Sequence, residues 1–275
     1  MRLANLILFA LTLMALQEPI GSYFRSSDGL RIHYTVAGEG SPVILIPGYT
    51  GTAADWLEED GLGRALAQDH RVVAIDKRGH GASDKPLDPK KYGPHMVRDV
   101  VELMDHLGIE KAHVHGFSLG GVLVTFLLAA HPERFVTASY GGMGIPEIDP
   151  VWKARVPKDI KFVDPREKEL FTWDERTDLD WDALKAIFES PWEAGEGFEG
   201  YEKTAATQID LTKIHIPVLA VIGEYDFPNH WTHRMKRELA NFKLVVLPDR
   251  AHLRSLGEDY NSAVSAFIDE NDSLR

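Results

Sequence analysis

Six short, mostly apolar runs, separated by stretches of helical periodicity, restrict this chain more than any other feature of its sequence. The runs are Val43–Ile46, Val72–Ile75, Ala112–His115, Phe135–Ala138, Val218–Ile222 and Leu244–Leu247. A strand with one wet face alternates apolar and polar residues. A run without that alternation suits a parallel sheet covered on both sides. Helical patterns lie between the runs. Residues 93–107 carry Met96, Val97, Val100, Val101, Met104 and Leu107 near the helical period, and Leu119–Ala130 is apolar nearly all round. His131-Pro132 ends the second of these, and Asn261–Ile268 predicts a last amphipathic helix. Upstream, residues 21–25 and 30–36 alternate on either side of Ser27-Asp28-Gly29, the pattern of a hairpin. Strands alternating with helices predict an α/β fold.

The chain has 275 residues, 44% apolar and 26% charged, so its core needs no covalent staples. It has no cysteine, which excludes disulfides, thiolate catalysis and cysteine-ligated metals. A formal charge of −12 argues against nucleic acid and against anionic lipid surfaces as partners. Arg2 followed by the apolar stretch Leu3–Leu16 has the layout of a secretory leader over residues 1–17. Export is therefore expected, with no stable membrane span after processing. The alternative is an uncleaved N-terminal helix, buried or resting on a membrane, in a cytoplasmic or membrane-associated protein. The sequence leaves the oligomeric state open.

Between Gly144 and Lys213 the alternation stops, and no strand is evident. Four of the six tryptophans fall here, Trp152, Trp173, Trp181 and Trp192, with Phe162, Phe171, Phe188, Phe198 and Tyr201. From Ile145 to Lys213 there are 17 acidic and 10 basic residues. A mostly helical, aromatic and acidic insertion between two strands reads as a cap over residues 144–213. The core then comprises residues 18–143 and 214–275. Some of these aromatics would form the small core of the insertion itself.

Gly116-Phe117-Ser118-Leu119-Gly120 has the form G-x-S-x-G. Short Gly/Ser strings arise by chance, but this one follows an apolar run and opens an apolar helix. A tight strand-to-helix turn strains the serine backbone and pushes Oγ out at the C-terminal edge of the sheet. Gly116 and Gly120 are expected because a Cβ there would strike the neighbouring strand and helix.

With its flanking segments, the chain resembles the α/β-hydrolase family. Ile46-Pro47-Gly48-Tyr49 resembles the oxyanion loop after the third strand. Asp76-Lys77-Arg78-Gly79-His80-Gly81-Ala82-Ser83-Asp84 resembles the D-x-R-G-x-G-x-S segment after the fourth. Gly223-Glu224-Tyr225-Asp226 resembles the acid-bearing loop after the seventh. The resemblance implies a mostly parallel eight-stranded sheet flanked by helices, with a small cap inserted after strand six. It also implies a nucleophile, acid and base in the chain order Ser118, Asp226, His252. Backbone N–H groups of Tyr49 and Leu119 would form the oxyanion hole. Pro47 stands where relatives often carry histidine. Glu224 is a rival acid, and His230 and His233 are rival bases. His80 and His115 read as structural residues.

The implied chemistry is serine-dependent hydrolysis of an ester-type bond in a small, neutral substrate, with no metal or cofactor. Serine at the elbow argues against relatives that place aspartate there, such as epoxide hydrolases. Carbon–carbon hydrolase, lactonase and aminopeptidase-like chemistry share the same triad. A receptor-like binder with little turnover is an alternative of another class.

Overall fold

The computed structural model describes residues 19–147, 149, 151, 179–192, 195–196, 209–226 and 231–274. Strands β1 (Ile20–Arg25), β2 (Arg31–Ala37), β3 (Ser41–Ile46), β4 (His70–Ile75), β5 (Ala112–Phe117), β6 (Phe135–Gly141), β7 (Val218–Gly223) and β8 (Phe242–Leu247) form one sheet. Their spatial order is β1-β2-β4-β3-β5-β6-β7-β8. Only the contacts of β2 with β1 and β4 are antiparallel; every other neighbouring pair is parallel. The C-terminal ends of β3 to β8 therefore share one edge.

The continuous runs are buried as their pattern requires. Every residue of β5 and of β7 is buried. The exception is β8, whose residues are mostly half-buried or exposed. Among the described residues it pairs with β7 alone, so it is an edge strand rather than an interior one. The expected hairpin is β1–β2, with Phe24 opposite Ile32 and Arg25 opposite Arg31.

Helices cover both faces. On one, α3 (Pro94–His106) and α4 (Leu119–Ala130) pack Met96, Val100, Leu103, Leu123 and Leu127 against Ile44, Ile46, Val73 and Val114. On the other, the short α1 (Ala53–Leu57) and α2 (Leu62–Leu66) join the last helix, α7 (Glu258–Glu270), over Val43, Leu45, Val72, Leu219 and Val221. Each fully buried Ile, Leu or Val stabilises the fold by about 1.5–3 kcal/mol. α7 begins before the predicted start at Asn261 and so brings Tyr260 into the core. The sequence pattern did not reveal α1, α2 or α6 (Thr232–Glu238), which are too short to show periodicity.

Between β6 and β7, the described residues include α5 (Trp181–Phe188), capped by Asp180, whose carboxylate accepts from Ala183 N–H at 3.1 Å. They also include a two-residue antiparallel ribbon, 191–192 with 195–196, in a region where no strand was expected. The leader over residues 1–17 lies outside the described residues, as do Trp152, Trp173, Phe162, Phe171, Phe198 and Tyr201. No helix among the described residues is long and apolar enough to cross a membrane.

Arg78, in the loop after β4, ties three elements together. It is fully buried and donates to both oxygens of Asp99 on α3, at 2.7 and 2.6 Å. It also reaches both oxygens of Asp28 in the β1–β2 turn, at 3.0 and 3.1 Å. Burial pushes the Asp99 carboxyl up to about 6, and the bonds from Arg78 oppose that rise. Removing the guanidinium would strand buried carboxylates. Arg78→Met should therefore destabilise the protein by about 3–5 kcal/mol, seen as a lower urea midpoint in equilibrium unfolding.

Candidate active site

The turn between β5 and α4 holds Ser118 at φ 51° and ψ −116°, a conformation L-residues rarely adopt. Its backbone is clamped from both sides. Ser118 N–H donates to Gly141 O at 2.8 Å, and Ser118 O accepts from Gly121 N–H at 2.8 Å. There is no room for side chains at the flanking glycines. A Cβ at Gly116 would lie 2.3 Å from the backbone of Gly120, and one at Gly120 would lie 2.1 Å from Ile46 O. Leu119 is the first residue of α4, so its N–H has no acceptor within the helix.

The loops after β7 and β8 are joined by main-chain bonds. Glu224 N–H donates to Leu247 O and Tyr225 N–H to Arg250 O, both at 2.9 Å. These bonds set Asp226 against His252: Nδ1 lies 2.9 Å from Oδ1 and 3.1 Å from Oδ2. The Asp226 side chain is 1% exposed and that of His252 24%. A carboxylate accepts only, so Nδ1 carries the proton and Nε2 is the basic nitrogen. Glu224, the rival acid, accepts from Asp249 N–H at 3.0 Å and so braces the same loop pair. His233 sits on an exposed face of α6, and His230 lies outside the described residues.

His252 reaches the elbow through Phe117, the residue before the serine; the two rings are 4.9 Å apart. A Cβ on Gly142 would lie 2.9 Å from the imidazole, so glycine there lets the ring approach the end of β6. Among the described residues, His252 is hydrogen-bonded to Asp226, and no such bond links the Ser118 hydroxyl to His252. Such bonds often close only when substrate is bound.

Tyr49 follows β3. A Cβ on its neighbour Gly48 would be 3.4 Å from Ser118 Cβ, which places this loop beside the elbow. Burial pushes the Tyr49 phenol up to about 12, so it stays protonated, and its hydroxyl donates to Leu184 O on α5 at 2.8 Å. Its ring packs 4.5 Å from that of Phe188. His80 Nδ1 lies 3.1 Å from Arg78 O and its Nε2 meets Tyr49 O. Burial, then the charge of Lys77, pushes it down to about 3, and the neutral ring, with a single N–H, donates to one of these two carbonyls.

His115 is fully buried below the elbow, and burial pushes it down to about 3. Tyr260 OH donates to its Nε2 at 2.7 Å, and its Nδ1–H is 2.8 Å from Ser139 Oγ. Ser139 in turn donates to Val114 O at 3.4 Å. A Cβ at Gly141 would meet that Tyr260 hydroxyl at 1.7 Å. The role of Tyr260 was not foreseen. The spacing of Tyr260, Val264 and Phe267 marks a buried helix face, but nothing in it identifies the partner of the hydroxyl. Among the described residues, no group of three or more His, Asp or Glu side chains could hold a metal ion.

A family model described as "alpha/beta hydrolase fold" matches residues 41–161. The structure of an alpha/beta hydrolase from Novosphingobium aromaticivorans superposes with a TM-score of 0.67, at 25% identity over 93% of this chain and 99% of that one. The chain has the α/β-hydrolase fold. Two curated relatives are similar to this chain over shorter stretches. One is a protein provisionally named a carbamate hydrolase from Azorhizobium caulinodans, 35% identical over 38% of this chain and 37% of its own length. The other is epoxide hydrolase 4 of Mus musculus, 33% identical over 42% of this chain and 32% of its own. The chain thus spans about a third of the length of these relatives.

The buried relay below the elbow yields a direct test. Tyr260→Phe removes the donor to His115 Nε2 and leaves a buried acceptor unsatisfied. It should lower stability by about 1–3 kcal/mol in chemical unfolding.

Proposed function

We propose that this chain is a serine hydrolase that cleaves an ester-type bond through an acyl-enzyme. The observation that carries the reading is the buried Asp226–His252 pair, held at the same sheet edge as a backbone-strained serine. Asp226 fixes the imidazole with Nε2 basic. As Ser118 Oγ bonds to the substrate carbonyl carbon, Nε2 takes its proton and the carbonyl π electrons move to oxygen. The N–H groups of Tyr49 and Leu119 would receive that oxyanion. Collapse expels the alcohol, which takes the proton back from His252. A water then repeats the sequence on the acyl-enzyme.

The names of the relatives span carbamate and epoxide hydrolysis. Serine rather than aspartate at residue 118 favours acyl transfer over epoxide opening. Residues 144–213 are the cap in this reading, which the contacts of Tyr49 with Leu184 and Phe188 support by joining α5 to the loop after β3. The acidic excess of that segment favours neutral small substrates over anionic ones.

A fluorophosphonate probe should label the wild type, and Ser118→Ala should abolish labelling. Asp226→Asn, which frees the imidazole to take the wrong tautomer, should lower kcat on a simple ester by about 10⁴-fold. Ester turnover that survives Ser118→Ala would remove the assignment. A higher kcat/KM for an anionic ester than for a neutral one of equal size would count against the substrate class.

A further inference from the structure

The loop from Pro47 to Gly51, which carries the second donor of the proposed oxyanion hole, is gripped by a buried lysine. Lys77, two residues past the end of β4, is 2% exposed. Its Nζ donates to Gly48 O at 2.9 Å and to Gly51 O at 3.2 Å. Gly51 N–H also donates to Gly48 O, at 3.1 Å, so this one carbonyl receives two donors.

The Gly48 carbonyl and the Tyr49 N–H belong to the same peptide plane. In a trans peptide the two point in opposite directions. Drawing Gly48 O toward Lys77 turns the Tyr49 N–H away from Lys77. The side of Gly48 that a Cβ would occupy faces Phe117 and Ser118, 3.2 and 3.4 Å away. The next carbonyl, Tyr49 O, is met by His80 Nε2. Side chains from the loop after β4 therefore contact both peptide planes that bracket Tyr49.

We propose that Lys77 is a positioning residue for the oxyanion hole, anchoring the Gly48–Tyr49 peptide so that the Tyr49 N–H meets the carbonyl that Ser118 attacks. The inference rests on the serine-hydrolase reading. The lysine also polarises the peptide it holds, because a donor on the carbonyl strengthens the N–H of the same unit. Burial pushes the ammonium down to about 7, against the opposing pull of Asp76 and Asp55. A neutral amine keeps two N–H bonds, enough for both carbonyls, so the anchoring survives loss of the charge. A lysine enclosed in this way must donate wherever it can, which makes the grip on the loop strict.

The test compares wild type, Lys77→Met and Lys77→Arg in the full chain, with active sites counted by exhaustive fluorophosphonate titration. The readouts are kcat and KM on a p-nitrophenyl ester and the inhibition constant of an aryl trifluoromethyl ketone, which forms a tetrahedral oxyanion on the serine. Lys77→Met should lower kcat per titrated site by roughly 10- to 100-fold, with KM changed less than about twofold. It should weaken the ketone by a similar factor. Lys77→Arg, which retains donors, should recover part of both losses.

A merely structural lysine would lower the number of active sites and the melting temperature while kcat per site held. That outcome overturns the proposal, as does an unchanged ketone affinity. If Lys77→Met does not fold, Lys77→Gln is read by the same kcat and ketone ratios. A wild type inert to the fluorophosphonate overturns both readings. A labelled wild type beside a Lys77→Met variant with full kcat per site overturns this one alone.

Discussion

The backbone of Ser118 can hold its left-handed conformation only because β5, α4 and β3 meet with no space between them. The hydrogen atoms of Gly116 and Gly120 occupy positions where a methyl group would fall about 2 Å from main-chain atoms. The strain in such a turn costs on the order of 1–3 kcal/mol. Apolar burial along β5 and α4 offsets it, together with the two backbone bonds to Gly141 and Gly121. The positions of the other groups follow from that approach. The parallel sheet puts the loops after β3, β7 and β8 on the same edge, and each brings its residue toward the turn.

Polar groups inside the protein serve the same end. Asp76 accepts from Ala53 N–H at 2.6 Å, from Ala82 N–H at 2.9 Å and from His33 at 2.8 Å. Burial pushes its carboxyl up, but these bonds outweigh it and hold the group below the usual carboxylate range. Arg78 and Lys77 follow directly, one directed at Asp28 and Asp99, the other at the loop after β3. Three consecutive side chains thus leave β4 in different directions and bind the hairpin, α3 and the loop after β3 to the same strand end. Full burial of such charges is tolerated because each has several partners.

Much of this was legible in the sequence because it depends on period and spacing. Unbroken apolar runs marked β3 to β7, and G-x-S-x-G between a run and a helix marked the elbow. The choice between Asp226 and Glu224 was not settled by residue type. The structure separates them by reach: one meets the imidazole, the other a backbone N–H. Leu244–Leu247 read as an interior strand because hydropathy alone does not distinguish an edge from a centre. Lys77 and Tyr260 were illegible as partners for a different reason. Their hydrogen bonds join residues 29 and 145 positions apart, distances over which no local pattern reports.

His252 hangs from the loop that follows the outermost strand of the sheet, whereas Ser118 hangs from a strand near its middle. Edge strands have the weaker hold, since only one side is paired and opening there exposes little of the core. His252 and Ser118 therefore hang from an edge and an interior strand, which differ in how readily they open. In the serine-hydrolase reading, opening of this one edge would withdraw the imidazole while the elbow and most of the sheet stay intact. The working lifetime of such an enzyme would be set by the integrity of one peripheral strand rather than by global unfolding.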